Sequence, residues 1–298
     1  MAPLLGFITK VNRNATQHAA DAAARASMVR FTLAPPGDIP KGTKIILTSL
    51  WNDPSCVSDM GKAFTGFRQL TGSCVGVSTG HAITTLSCVQ RKLTAGSTKA
   101  FIHWWPYSYG TCRTNEGDHG QGEGAIDSVM AQTLVKSGVF SITEAQNLPT
   151  FNESDGLALT SQQEYQYSDG AASVNTQYAS LAHTHPLGSA AVLSSVADIK
   201  AAILNGYPVL DGCDDYIGNG SLSGDVALGN YDGHGGHSTC YLGYYEHETL
   251  GPLYLYQNSW AASTYPNDQS GKSRCSVWVK ESNVARLFQL GGGGETVA

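Results

Sequence analysis

Cys74 stands in the stretch GSCVGVSTGHAITTL, behind a Gly-Ser pair and ahead of a run of apolar residues. A thiolate nucleophile needs a base to take its proton, a group that orients the base, and donors for the oxyanion that develops on the attacked carbonyl. The sequence holds one candidate for each. Val75, Ala82, Leu86, Val89 and Leu93 recur at helical spacing. Cys74 therefore falls at the start of a helix, where the macrodipole favours an anion and lowers a thiol pKa. Gly72 and Ser73 are small enough for a substrate backbone to come close. Gln69, five residues before the cysteine, offers a side-chain N–H to the same oxyanion as the Cys74 backbone N–H. His237 begins the strand-like HSTCYLGYYEH, and Asn258 lies in YQNSW on the next strand-like run. A His and an Asn on neighbouring strands meet side by side, and the Asn carbonyl then fixes the imidazole tautomer. Trp260 is placed to shield that hydrogen bond from water.

Other chemistry fits these stretches less well. HGGHSTC offers His234, His237 and Cys240 to zinc, but ligands three apart suit a helix or loop, and this stretch has strand character after a glycine-rich turn. DGCDDY lacks the spacing of a calcium loop. Neither a metal site nor a cofactor is expected. Each candidate also has a plain structural reading: cysteine is among the most buried residue types, a lone His can be a satisfied core group, and Asn258 can cap a turn. HWWPYSYG at 103–110 fits core or the wall of a cleft.

The elements that must position these residues follow from periodicity and punctuation. ATQHAADAAARASMVRF is Ala-rich and helical, and APPGDIPKGTK ends it. Residues 1–43 thus form an arm that lies over the body or reaches a neighbour. KIILTSLW at 44–51 is a strand. The segment 122–141 is a second helix with Ile126, Val129, Met130, Leu134 and Val135 on its apolar face and Gly138 as its stop. Residues 142–190 are polar and irregular, which predicts a long loop. VADIKAAIL is a third helix, and PVLDG starts a strand after the NGYP turn. GHSTCYLGYYEH, LYLYQNSW and SRCSVWV are strands rich in aromatic and β-branched residues. GGGGETVA at 291–298 is a flexible tail. Helices dominate the first half and strands the second, which predicts an α+β fold of two subdomains within 44–290: helical over about 60–150, β over about 190–288.

Composition narrows the function classes. The 298 residues carry a formal net charge of −6, with no basic patch, so nucleic acid is not an expected partner. Charged residues make up only 14%, well below the roughly 25% usual for globular domains. That low-charge surface suits a secreted or assembly-bound protein. The N-terminus has no apolar core of a signal peptide, and no apolar run is long enough for a membrane span. Seven cysteines without a C-x-x-C pair leave two states open, six paired or all seven free, and the missing signal peptide favours free thiols. The sequons at Asn14, Asn152 and Asn219 are then chance.

GSC with its following helix, GHSTCYLGY, NSW and the closing VWV strand together resemble the papain-like cysteine peptidases, over roughly residues 60–288, in a divergent, bacterial or bacteriophage form. The family's His stands six residues before a Gly-Tyr pair, as His237 does before Gly243-Tyr244. The resemblance implies Cys74 as nucleophile, His237 as general base and acid, Asn258 as its orienter and Gln69 as oxyanion donor. It implies a helical subdomain carrying Cys74, facing an antiparallel β subdomain across a cleft, and a peptide or protein substrate. The chain departs from the pattern in three places. Arg68 holds the position six before the Cys, where the family has Gln. Val75 replaces a common aromatic, and Ala261 replaces the Gly after NSW. No inhibitory propeptide of the usual length is apparent. An alternative reading is a papain-fold structural component of a large assembly such as a phage virion, with weak or no catalysis, held to other subunits through the N-terminal arm.

Overall fold

Asn14 accepts the Gln17 N–H, and Gln17 returns a bond to the Asn14 N–H, a capping box that starts α1 (Ala15–Ser27). This computed structural model describes residues 7–34, 37–148, 158–170, 176–260, 275–291 and 294–298. Two short strands follow α1: β1 (Val29–Arg30) and β2 (Lys44–Ile46). Asp53 then caps α2 (Pro54–Met60), which opens on a proline whose missing N–H has no helical role there. The helical half continues with α3 (Cys74–Leu93), α4 (Trp105–Glu116), α5 (Asp127–Ser137), α6 (Ile142–Gln146), α7 (Ser161–Glu164) and α8 (Thr176–Ala182). The second half holds β3 (Ala190–Val192), α9 (Val196–Leu204), β4 (Val209–Ser223), β5 (Val226–His247) and β6 (Gly251–Gln257). It closes with β7 (Ser276–Lys280), α10 (Glu281–Gly291) and β8 (Glu295–Val297).

The sheet runs β1-β3-β8-β4-β5-β6-β7, with β2 also paired to β5. Its centre is antiparallel: Cys213 faces His237 between β4 and β5, and Cys240 faces Gln257 between β5 and β6. The β4–β5 register slips between Cys213 and Asp215, beside His237. Such a slip bends the ribbon and re-aims side chains, a device found often next to functional sites. One apolar core lies in the helical half, around Trp51, Phe64, Trp105 and Met130. A second lies on the sheet, around Ile199, Tyr241, Tyr254 and Val277. The α+β expectation holds.

Helix α3 lies between these layers and is buried without a break from Cys74 to Val89. Its hydroxyls are satisfied inside that interior: Thr79 Oγ1 donates to the Val75 carbonyl (2.7 Å), and Trp51 Nε1 donates to Thr85 (2.9 Å). Two glycines let α4 and the loop before α3 come close. A methyl on Gly76 would lie 2.5 Å from the Trp105 ring, and one on Gly80 2.8 Å from the Phe67 ring. The stretch 103–110 is accordingly core, with Trp104, Trp105, Tyr107 and Tyr109 all buried.

Several local expectations are corrected. Only Lys44–Ile46 is a strand; Leu47–Asn52 winds into a 3-10 helix that buries Leu47 and Trp51. Helix α5 is shorter than 122–141, but it ends at Gly138 as expected, in a left-sided φ of 75°. The predicted loop at 142–190 contains α6, α7 and α8; Ser141–Glu144 and Thr160–Gln163 capping boxes nucleate the first two. Residues 149–157 and 171–175 of that stretch lie outside the described residues. Leu93 is exposed rather than part of a buried face. The C-terminal tail is not flexible over 295–297: β8 is buried and pairs with β3 and β4. In the arm, α1 packs on the body, where Arg25 makes a 2.8 Å ion pair with the buried Glu295.

Gly76→Ala gains helix propensity of roughly 1 kcal/mol, yet it drives a methyl into Trp105 and Tyr109. Overpacking costs about 1–3 kcal/mol, so the urea midpoint should fall with an unchanged slope.

Candidate active site

Ser238 on β5 is where the helical half and the sheet meet. Its backbone N–H approaches Cys74 Sγ at 3.3 Å, at the first residue of α3. Its Oγ donates to Asp127 Oδ1 at 2.8 Å, at the first residue of α5, and bonds Ser78 Oγ at 2.8 Å, one turn along α3. The residue before it on the strand is His237. Cys74 and His237, predicted from opposite ends of the sequence, thus share one junction. Both are sealed: Cys74 is 0% and His237 1% exposed.

Asn258 Oδ1 lies 2.9 Å from His237 Nε2 and also accepts the Ser259 N–H at 2.7 Å. A backbone N–H can only donate, so the atom between them is the amide oxygen, and His237 Nε2 must carry a proton. The imidazole is therefore the Nε2–H tautomer, leaving Nδ1 unprotonated and without a hydrogen bond among the described residues. Burial drives the His237 pKa down to about 4, against the small upward pull of Asn258. Trp260 stacks on the imidazole with centroids 4.6 Å apart, and Tyr216 meets Trp260 edge-on at 5.1 Å. The expected shielding of this hydrogen bond by Trp260 is present. Ala261 lies outside the described residues.

Gln69 reaches the same junction. Its backbone N–H donates to the Ser259 carbonyl (2.9 Å), its Nε2 donates to the Thr71 carbonyl (3.0 Å), and its Oε1 accepts from Ser259 Oγ. Sequence reasoning missed what holds the rest of this loop. Glu164 accepts the Leu70 N–H (3.0 Å), the Thr71 N–H (2.9 Å) and the Thr71 and Ser73 hydroxyls (2.5 Å each). Glu123 accepts the Gly72 N–H at 2.8 Å. Two carboxylates from distant parts of the chain therefore clamp the turn that presents Cys74. Glu164 comes from the stretch expected to be loop, and only its place in a T-x-x-Q-E helix start hinted at order. Burial raises the Glu164 pKa, with its donors pulling the other way. His81 completes the support: its Nε2 accepts the Phe67 N–H at 2.7 Å, and burial lowers its pKa to about 3, so it stays neutral.

Among the described residues no group of three His, Cys, Asp or Glu side chains could hold a metal ion. His234 is exposed and bonds Asp215, away from the buried His237. All seven cysteines are buried, and none is joined in a disulfide.

Sequence comparison finds no matching family model and no similar curated protein. Solved structures are similar over nearly the whole chain. Xylellain, a cysteine protease from Xylella fastidiosa, superposes with a TM-score of 0.62 at 16% identity, over 98% of this chain and 95% of that one. Procathepsin B from Trypanosoma congolense gives 0.52 at 12% identity, over 97% and 91%. The bromelain protease from Ananas comosus gives 0.50 at 10% identity, over 87% and 99%. The fold is papain-like. In a papain-like fold the junction of the helical half and the sheet is the cleft, and here that junction holds Cys74, His237 and Asn258 together.

Asn258→Ala would leave the His237 Nε2–H and the Ser259 N–H buried without an acceptor. Each orphan costs about 1–3 kcal/mol, so the melting temperature should drop clearly. Nitrogen NMR of the imidazole should show the Nε2–H preference lost in the variant and retained in the parent.

Proposed function

We propose that the chain is a papain-like cysteine peptidase that cleaves peptide or isopeptide bonds, with Cys74 as nucleophile, His237 as general base and acid, and Asn258 as its orienter. One observation carries this reading: Asn258 Oδ1 takes both His237 Nε2 and the Ser259 N–H, which leaves an unprotonated Nδ1 on the residue next to the Cys74 contact. Nδ1 takes the thiol proton, and the thiolate attacks the carbonyl carbon. The start of the 20-residue α3 favours the resulting negative charge, and the Cys74 N–H faces the oxyanion. His237 then protonates the leaving amine, and water releases the acyl group from sulfur. Gln69 is the second oxyanion donor in this reading; its Nε2 carries two N–H donors, one of them on the Thr71 carbonyl.

The sealed site gives the alternative its one supporting observation, since a papain-fold structural component of a particle needs no accessible thiol. Such a component would dock to other subunits. The two readings separate on thiol chemistry. Alkylation of Cys74 by an epoxysuccinyl reagent, followed by mass spectrometry, should slow by about 100-fold or more in His237→Ala, within the range for loss of general base catalysis. Equal rates in the two proteins would discard the peptidase and leave the structural component.

A further inference from the structure

Gln69, the second oxyanion donor of the reading above, is 2% exposed and held at three points. Its backbone N–H donates to the Ser259 carbonyl at 2.9 Å, its Oε1 accepts from Ser259 Oγ, and its Nε2 donates to the Thr71 carbonyl at 3.0 Å. A carboxamide is planar, so fixing its oxygen and one N–H also fixes where the other N–H points. The Ser259 N–H in turn donates to Asn258 Oδ1, which faces His237 Nε2. One network therefore aims the Gln69 amide and the imidazole together.

The Thr71 carbonyl is only as fixed as the residue that carries it, and that residue hangs on Glu164. The Thr71 N–H and Oγ1 both donate to Glu164 Oε1, at 2.9 and 2.5 Å. The Leu70 N–H donates to Glu164 Oε2 at 3.0 Å, and Ser73 Oγ donates to Oε1 at 2.5 Å. A carboxylate offers about four acceptor sites and no donor, so these donors fill it. Glu164 is fully buried, so bulk water does not compete for them. We propose that Glu164 is a positioning residue for acyl transfer: through Thr71 it aims the Gln69 amide at the oxyanion, without itself touching the substrate. This rests on the peptidase reading above.

A positioning residue must itself be held, and Glu164 is held from both sides. The Glu164 N–H donates to the Thr160 carbonyl at 2.8 Å, behind the Thr160–Gln163 capping box. In the turn that follows, Tyr165–Asp169, the Tyr167 ring meets Trp104 edge-on at 5.6 Å. Asp169 then pairs with the buried Arg113 of α4 at 2.5 Å. The carboxylate is thus fixed to the core of the helical half, and the loop before Cys74 is fixed to the carboxylate. Supporting groups of this kind act on rate through the geometry of the group they hold.

Two probes of the full chain separate the oxyanion from the thiol. In acylation by the p-nitrophenyl ester of N-acetylglycine, the Cys74 sulfur bonds the carbonyl carbon, an oxyanion develops, and p-nitrophenolate leaves. Alkylation by iodoacetamide displaces iodide at a saturated carbon and builds no oxyanion. Glu164→Gln keeps the side chain's size, but its amide nitrogen donates where the turn needs an acceptor. It should lower acylation about tenfold, part of the roughly 100-fold or more that a whole oxyanion donor supplies, and leave alkylation within about twofold. Gln69→Ala should lower acylation about 100-fold, and Glu164→Gln added to it should lower the rate little further, because both act through one donor. If Glu164→Gln exposes the buried Cys56 and Cys88 to iodoacetamide, it has unfolded; Thr71→Val, which removes the Oγ1 bond alone, then carries the test with the same signs. Unchanged acylation, equal losses with both probes, or a full further loss on top of Gln69→Ala would overturn the positioning role and leave the peptidase reading standing. Wild-type acylation that His237→Ala does not reduce would instead remove the peptidase reading, and the positioning role with it.

Discussion

Ser238 is a small residue in a crowded place, and its two polar groups face two helix starts. Its N–H points at the sulfur that opens α3, and its Oγ bonds the carboxyl that opens α5 and a hydroxyl one turn along α3. A larger side chain there would part the layers; a residue without a hydroxyl would leave Asp127 Oδ1 buried without its donor. The distance between the Cys74 sulfur and the strand that bears the imidazole is therefore set by a packed, hydrogen-bonded contact. Gly76 and Gly80 act on the other side of α3, letting Trp105 and Phe67 press the helix toward the sheet. The site is a consequence of two layers closing on one helix.

The loop before Cys74 shows a second constraint. A helix start leaves its first N–H groups without intrahelical partners, and this one has no side-chain cap of its own. Ser73, at the capping position, turns its hydroxyl to Glu164 instead. Glu164 and Glu123 take the N–H groups of residues 70–72, so the turn is rigid before any substrate arrives. The two acidic groups also oppose a nearby thiolate, against the favourable field of α3. Burial raises the Glu164 pKa, and the N–H and O–H donors of the turn pull it back down. Rigid presentation of the thiol thus comes with an electrostatic cost.

Cys74 was legible at the start of an element, with sixteen buried helical positions counted from it; His237 lies within β5 rather than at its start, because the aromatic and β-branched run after it marks a strand and the glycine-rich stretch before it hides the strand's first half. Asn258 followed from the spacing of two adjacent strands. The clamp was not legible, because Glu164 and the Thr71 and Ser73 groups it binds are more than ninety residues apart and no local pattern links them. The same limit hid β8: four glycines in a row argue for a flexible tail, and only the open side of β4 and β3 converts residues 295–297 into a strand. The irregular stretch 142–190 yielded its helices through capping boxes rather than through apolar periodicity. Local chemistry was readable; long-range partners of charged and glycine-rich segments were not.

The protonation state of His237 follows from the closing of the site. A cysteine–histidine pair works as thiolate and imidazolium, and each ion is stabilised by water or by the other. In the sealed junction, burial holds the His237 pKa near 4, so the imidazole is neutral at physiological pH. The sign follows for stability: the unfolded chain binds a proton near pH 6.5 that the folded site resists down to about pH 4. Acidification through that window therefore favours unfolding. Water admitted to the junction would relieve the desolvation that depresses the imidazole and restore its basicity, so access to the Cys74 thiol and basicity of the His237 imidazole rise together.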